Sequence, residues 1–312
     1  HIDSFGRPME YKGSTELVGM SKWVSTVMHS SKTIRHISFA KGSLYLFIIF
    51  IIVSWCFIFL PGDSGFVDLF RLETWIHVKI FILKLAGVES ELTPAFFQVD
   101  RWIATSKLAY RTLAMSVLAM AIAGTGAFLT MVLAARNVSN GDLGGVPSRF
   151  GMVMYYLVRA NYIVSRAVPE LVWAMIIVFF LSPGLLPGAL ALGLHNIGIV
   201  GRLTAEVIEN LDPASSVSLR SAGARNSQIL IYGIIPQAMP HFITYLLYRW
   251  EVVIRTTVVV GFVSAGGLGR EFILRVNWFH YTDVTLILIW YLLMVIGVDL
   301  LSSWLRKIVD AN

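Results

Sequence analysis

The sequence predicts an all-α integral membrane protein with six transmembrane helices, and three observations carry that prediction. Of 312 residues, 56% are hydrophobic and only 14% charged, too little polar side chain to cover a soluble globule of this size. The mean hydropathy is +0.70. Residues 44–60 and 112–134 carry no charge, and each approaches or exceeds the ~20 apolar residues needed to cross a hydrocarbon core of about 30 Å.

Four less uniform runs complete the count. Residues 167–182 include Glu170, residues 183–201 include His195, residues 232–263 include Arg249, Glu251 and Arg255, and residues 284–305 include Asp299.

Residues 1–43 read as a cytoplasmic N-terminal segment carrying Arg7, Lys12, Lys22, Lys32, Arg35 and Lys41. The first methionine is Met9, and the HIDSFGRP ahead of it is left out of the fold reasoning. The run 44–60 has no short n-region before it and no A-x-A-like site after it, so it reads as a retained transmembrane anchor. The single cysteine, Cys56, lies inside that run and excludes an intrachain disulfide or a multi-cysteine metal motif. Residues 61–107 follow as an extracytoplasmic loop. Within it, TWIHVKIFILKLAG mixes aromatics, isoleucines and lysines as an interfacial helix does, a short re-entrant segment being the alternative. Residues 108–307 form the main membrane domain.

Six spans put both termini on one side. The connection 135–166 holds four arginines and the connection 202–237 three, whereas the turn 183–187 holds no basic residue. Positive-inside counting therefore places both termini in the cytoplasm, with the basic loop 61–107 as the exception a long loop allows. The net charge of +6 is scattered without an aromatic-basic module, which argues against nucleic acid. Membrane lipid is the medium.

One cytoplasmic stretch is unusual. Residues 219–240 read LRSAGARNSQILIYGIIPQAMP, a polar interruption longer than a turn requires. Asp212 followed by Pro213 is a helix-start signal, since an aspartate caps free N–H groups and proline suits the first helical position. A short helix over 213–226 is predicted, lying along the membrane surface. Its small residues Ser221, Ala222, Gly223 and Ala224, flanked by Arg220 and Arg225, suit either a docking knob or a plain connecting loop. The chain has no G-x-x-x-x-G-K-[ST] phosphate loop, no catalytic residue is assigned, and no histidine or carboxylate cluster has metal spacing.

This stretch is similar to the cytoplasmic motif of ABC importer membrane subunits: Glu-Ala-Ala, three residues, Gly, nine residues, Ile, one residue, Leu-Pro. Gly223 and Pro236 have the motif's spacing and Ile235 fills its Leu position, while Val217, Ser218 and Leu219 replace Glu-Ala-Ala and Gly233 replaces Ile. The likeness to phosphonate/phosphite importer permeases extends to Pro169–Ala174, Glu206–Pro213, Tyr248–Glu251, Arg255 and Ser264–Gly269. It implies a five-helix type I ABC importer core plus one N-terminal helix. It also implies that 213–226 is a coupling helix docking on an ATPase through Arg220, Ser221, Ala222, Gly223, Ala224, Arg225 and Pro236. The implied partners are two ATP-binding subunits, a second permease chain, the same or homologous, and an extracytoplasmic substrate-binding protein. No cofactor is expected in this chain; ATP and Mg belong to the partner subunit. The implied cargo is phosphonate, phosphite or a related phosphorus oxyanion.

Ionisable residues in spans cost at least about 2.5 kcal/mol and are functional candidates. Glu251 and Arg255, four apart, suit an ion pair on one helix face, with Glu170 as a further partner for Arg255. In the alternative, Arg255 with Thr256 lines an anion path, because a guanidinium can hold two oxyanion oxygens. Arg249 belongs to the same group. His195 and Asn196 read as packing residues, and Asp299 is expected to meet Arg306 or Lys307. Gly266, Gly267 and Gly269 form a turn or outer gate. An ion-coupled secondary transporter using Glu170, Glu251 or Asp299, or an ABC permease for another small solute such as an amino acid, are the competing readings.

Overall fold

The computed structural model describes residues 39–59, 65–88, 93–141 and 149–310, so most of the N-terminal segment lies outside the described residues. Among these residues every regular element is helical. The chain divides into two units, His1–Val78 and Lys79–Asn312.

In the first unit, α1 (Phe39–Phe59) exposes apolar side chains on every side, as a helix solvated by lipid does. The first half of α2 (Leu72–Leu85) also belongs here. With 14 residues at ~1.5 Å each, α2 is only ~21 Å long, too short to cross a bilayer. Its second half belongs to the other unit, where the Phe81 ring lies edge-on to Tyr281 at 5.7 Å and Leu85 O accepts a hydrogen bond from Thr285 Oγ1 at 2.7 Å.

The second unit is a helical bundle built on α3 (Val99–Met131) and α6 (Leu185–Glu209). Both present small residues to each other: Ala119, Ala123 and Ala127 on α3, Ala189 and Ala191 on α6, all fully buried. In a bilayer, apolar side chains gain little by leaving lipid, so close backbone approach through small residues is what holds helices together. A Cβ at Gly193 of α6 would lie 2.8 Å from Ile122 Cγ2 and 3.1 Å from Ala119 O.

Between them in sequence, α4 (Arg149–Ala167) and α5 (Glu170–Val178) meet at a 92° bend. Pro169 is the cause: it carries extended backbone (φ −56°, ψ 146°) and bars its predecessor from continuing the helix. Two expectations change here. The connection 135–166 is largely a 19-residue helix, and the span 167–182 is a nine-residue helix. Three of its four arginines, Arg149, Arg159 and Arg166, lie on α4, whose Tyr162 is buried with its ring against Gly201 and its hydroxyl 2.6 Å from Thr130 Oγ1.

The C-terminal half contains α7 (Ala214–Ser221), α8 (Ile235–Val260), α9 (Gly267–Asn277) and α10 (Tyr281–Asp310). Five-residue π-helical segments, Leu230–Ile234 and Gly261–Ala265, bracket α8. By length and composition three helices among the described residues can cross a membrane, Lys41–Phe59, Val99–Ser139 and Tyr281–Val309, or up to five if each of two bent pairs is one span. The run 183–201 lies in α6, which is not in that set because His195, Asn196, Arg202 and its glycines dilute its apolarity. By this criterion the six expected spans are not all recovered among the described residues.

Candidate functional site

The candidate coupling helix is α7. Asp212 Oδ1 accepts the Ala214 N–H at 2.9 Å, and Pro213 O accepts the Val217 N–H at 2.9 Å. At the other end Gly223 takes the left-handed conformation (φ +84°). Its N–H donates to Arg220 O at 2.8 Å while the Ala224 N–H donates to Leu219 O at 3.0 Å, the two bonds of a Schellman stop. The helix therefore ends at Ser221 and not at residue 226. A short helix, Asn226–Ile229, restarts after Arg225, whose N–H donates to Gln228 Oε1 at 2.7 Å.

Burial assigns the faces of α7. Ser216 is buried, and Leu219 reaches to 3.0 Å from where a Cβ on Gly233 would sit. Leu219 and Ala224 lean on an apolar cluster that includes Ile208, Ile229, Ile234 and Phe242. Val217, Arg220, Ser221, Ala222, Gly223 and Arg225 are exposed, as is Pro236; Ala224 is half-buried. No heavy atom lies within 4 Å of a Cβ built on Gly223.

The intramembrane charges pair differently from expectation. Glu251 meets Arg306 at 2.7 Å, and Arg255 Nη2 donates to both oxygens of Asp299 at 3.1 and 2.9 Å. The expected Glu251–Arg255 pair and the expected Asp299–Arg306 or Asp299–Lys307 contact are thus replaced by two pairs between helices. The reason is that α8 and α10 pack together, Ser302 Oγ donating to Leu247 O at 3.2 Å, so each charge finds an opposite charge on the neighbouring helix. The Glu251 side chain is 13% exposed, whereas Arg255 is 48% exposed.

Glu170 does not reach Arg255. It lies 3.4 Å from His195 Nε2, and His195 Nδ1 is 3.0 Å from Val168 O, so this pair straddles the α4–α5 bend. Arg249 Nε donates to Oδ1 of the buried Asn196 at 2.8 Å, and Asn196 Nδ2 donates to Leu192 O at 2.7 Å. Thr256 Oγ1 donates to Val253 O of its own helix at 3.2 Å. The carboxylates that an ion-coupled carrier would use, Glu170, Glu251 and Asp299, each have a basic partner.

The glycine run at 266–269 is a packing joint. Gly266 and Gly267 have φ of +85° and +69°. A Cβ at Gly267 would lie 2.4 Å from Thr112 Oγ1, and the Leu268 N–H donates to that oxygen at 2.9 Å.

A network that the sequence reading missed lies where α6 ends. Glu209 Oε1 accepts the Arg136 N–H and Arg159 Nη2, each at 2.7 Å, and Arg159 Nε donates to Ala134 O at 2.8 Å. Nearby, Arg202 Nε donates to Glu206 Oε1 at 2.7 Å. Only this last pair, four residues apart on one helix, carried a local signal.

The bundle, its exposed capped helix and its paired charges define a class, and comparison with known proteins agrees. Residues 143–312 match the family of binding-protein-dependent transport system inner membrane components, and the chain belongs to that family. It is similar to the phosphite transport system permease protein PtxC of Stutzerimonas stutzeri, with 36% identity over 242 residues, 78% of this chain and 82% of that one. It is also similar to the phosphate-import permease protein PhnE of Mycolicibacterium smegmatis, with 31% identity over 239 residues, 76% of this chain and 41% of that one. Among solved structures, the inward-facing methionine ABC transporter MetNI matches its fold with a TM-score of 0.55 at 18% identity, covering 64% of this chain and 93% of that one. The chain is a type I ABC importer permease of the inner membrane, close to the phosphite and phosphonate permeases.

Proposed function

We propose that this permease forms the path by which phosphite, a phosphonate or a related phosphorus oxyanion enters the cell, in a complex energised by ATP bound with Mg on two partner subunits. The observation that carries the reading is the 36% identity with a phosphite permease over 78% of the chain. A periplasmic or lipid-anchored binding protein delivers the anion, and both termini lie in the cytoplasm. A second permease chain covers the apolar groove of about 360 Å³ between α3 and α8, lined by Met120, Gly124, Phe128, Phe242 and Leu246.

On this reading α7 seats in a groove of each ATPase, with Arg220, Ser221, Ala222, Gly223, Ala224, Arg225 and Pro236 at or beside the contact. Closure of the ATPases draws the two copies of α7 together and moves the bundles between inward and outward access as rigid bodies. Arg255, half-exposed beside Asp299, is the residue proposed to meet the anion, exchanging two carboxylate oxygens for two oxygens of the anion. The joint at Gly266, Gly267 and Gly269 terminates the outer end of α8 and is proposed as the outer gate.

Reconstitution of the full complex in proteoliposomes tests the reading. Uptake of labelled phosphite should require ATP and survive an uncoupler, and unlabelled phosphonate should compete more strongly than methionine. Uptake that collapses with an uncoupler and ignores ATP removal would overturn it.

A further inference from the structure

We propose that Arg159 and Glu209 form a positioning joint that transmits displacement of α7 into the bundle. The proposal rests on the coupling role of α7 and adds the residues through which its movement travels.

Glu209 is the last residue of α6, and only Asn210 and Leu211 separate it from Asp212, the cap of α7. Along the chain, displacement of α7 therefore reaches the end of α6 at this point. There, one carboxylate oxygen holds both the Arg136 N–H, just beyond α3, and Arg159 Nη2 on α4, each at 2.7 Å. Arg159 closes the triangle by donating Nε to Ala134 O at 2.8 Å, and Asn137 Nδ2 adds a bond to Ile208 O at 2.8 Å. The ends of α3 and α6 and the middle of α4 are therefore tied at one place, by residues 50 and 73 positions apart in sequence.

The chemistry suits a stiff joint. Arg159 is 14% exposed and Glu209 25% exposed, so water competes weakly for their charge-assisted bonds. Arg159 uses two different nitrogens of a planar guanidinium, Nε on a carbonyl and Nη2 on a carboxylate, and its charge lies 5.4 Å from the Tyr155 ring. A lysine has no second donor in that fixed geometry. Ala134 O lies just past the C-terminus of α3, where carbonyls lack helical partners and favour a cation.

The test compares Arg159→Lys and Glu209→Gln with the native chain in the reconstituted complex, measuring ATPase association, ATP hydrolysis and phosphite taken up per ATP hydrolysed. The joint predicts unchanged association and hydrolysis with uptake per ATP reduced about fivefold. An unchanged ratio in both variants overturns it. So does a parallel loss of association, hydrolysis and uptake, which marks a role in folding alone; thermal stability of the purified variants identifies that outcome independently. If the native complex shows no ATP-dependent uptake, the coupling reading fails and the joint falls with it.

Discussion

Gly269 packs so closely on Val258 that a Cβ at position 269 would lie 2.0 Å from the Val258 carbonyl oxygen. The obstacle is backbone and cannot swing aside. Gly269→Ala should push α9 away from α8 and cost about 1–3 kcal/mol or more through overpacking. A lowered melting temperature of the purified permease in detergent checks this, and native stability would contradict the packing described.

Gly223 presents the opposite case, with open space around it and a left-handed φ of +84°. Gly223→Trp should leave the bundle folded yet abolish pull-down of the ATPase subunit. Gly223→Asn tolerates the left-handed conformation and should keep most of the association, because asparagine also closes helices this way.

The two ion pairs between α8 and α10 should differ in strength because they differ in exposure. In double-mutant cycles, Glu251 with Arg306, exposed by 13% and 23%, should show a coupling of about 1–3 kcal/mol. Arg255 with Asp299, exposed by 48% and 39%, should show about 0–1 kcal/mol. Equal couplings would refute the distinction.

Arg255→Gln bears on transport. It should leave assembly and ATP hydrolysis intact while raising the KM for phosphite uptake, since an amide cannot replace a charged, two-oxygen contact. Normal uptake kinetics would remove Arg255 from the pathway.

Tyr162→Phe removes a hydroxyl 2.6 Å from Thr130 Oγ1, but Thr130 keeps its own bond to Gly126 O at 2.6 Å. The loss should be about 0.5–1.5 kcal/mol. Tyr162→Ala opens a cavity against Gly201 and should cost about 3–5 kcal/mol. Thermal denaturation of the two variants in parallel separates the terms.

Local signals were legible where the cause is local. The Asp212-Pro213 start of α7 was visible because a cap and its helix are neighbours in sequence. Its end lies several residues before the expected 226, because the left-handed backbone of Gly223 stops the helix. The same locality misled the reading of Glu251 and Arg255. Spacing of four is a sound rule on an isolated helix, but α10 brings Arg306 and Asp299 within reach. Helix α4 was hidden for a related reason: Arg159 looks like a loop residue until Glu209, fifty positions away, neutralises it.

By itself the sequence determined the membrane class, the helical content, the family likeness and the start of α7, since these depend on composition and on residues close together along the chain. Only the tertiary structure decided which charges pair, where α4 bends into α5, which face of α7 is free and what ties α7 to the bundle. Those depend on contacts between helices far apart in sequence, and a one-dimensional pattern carries no distance across them.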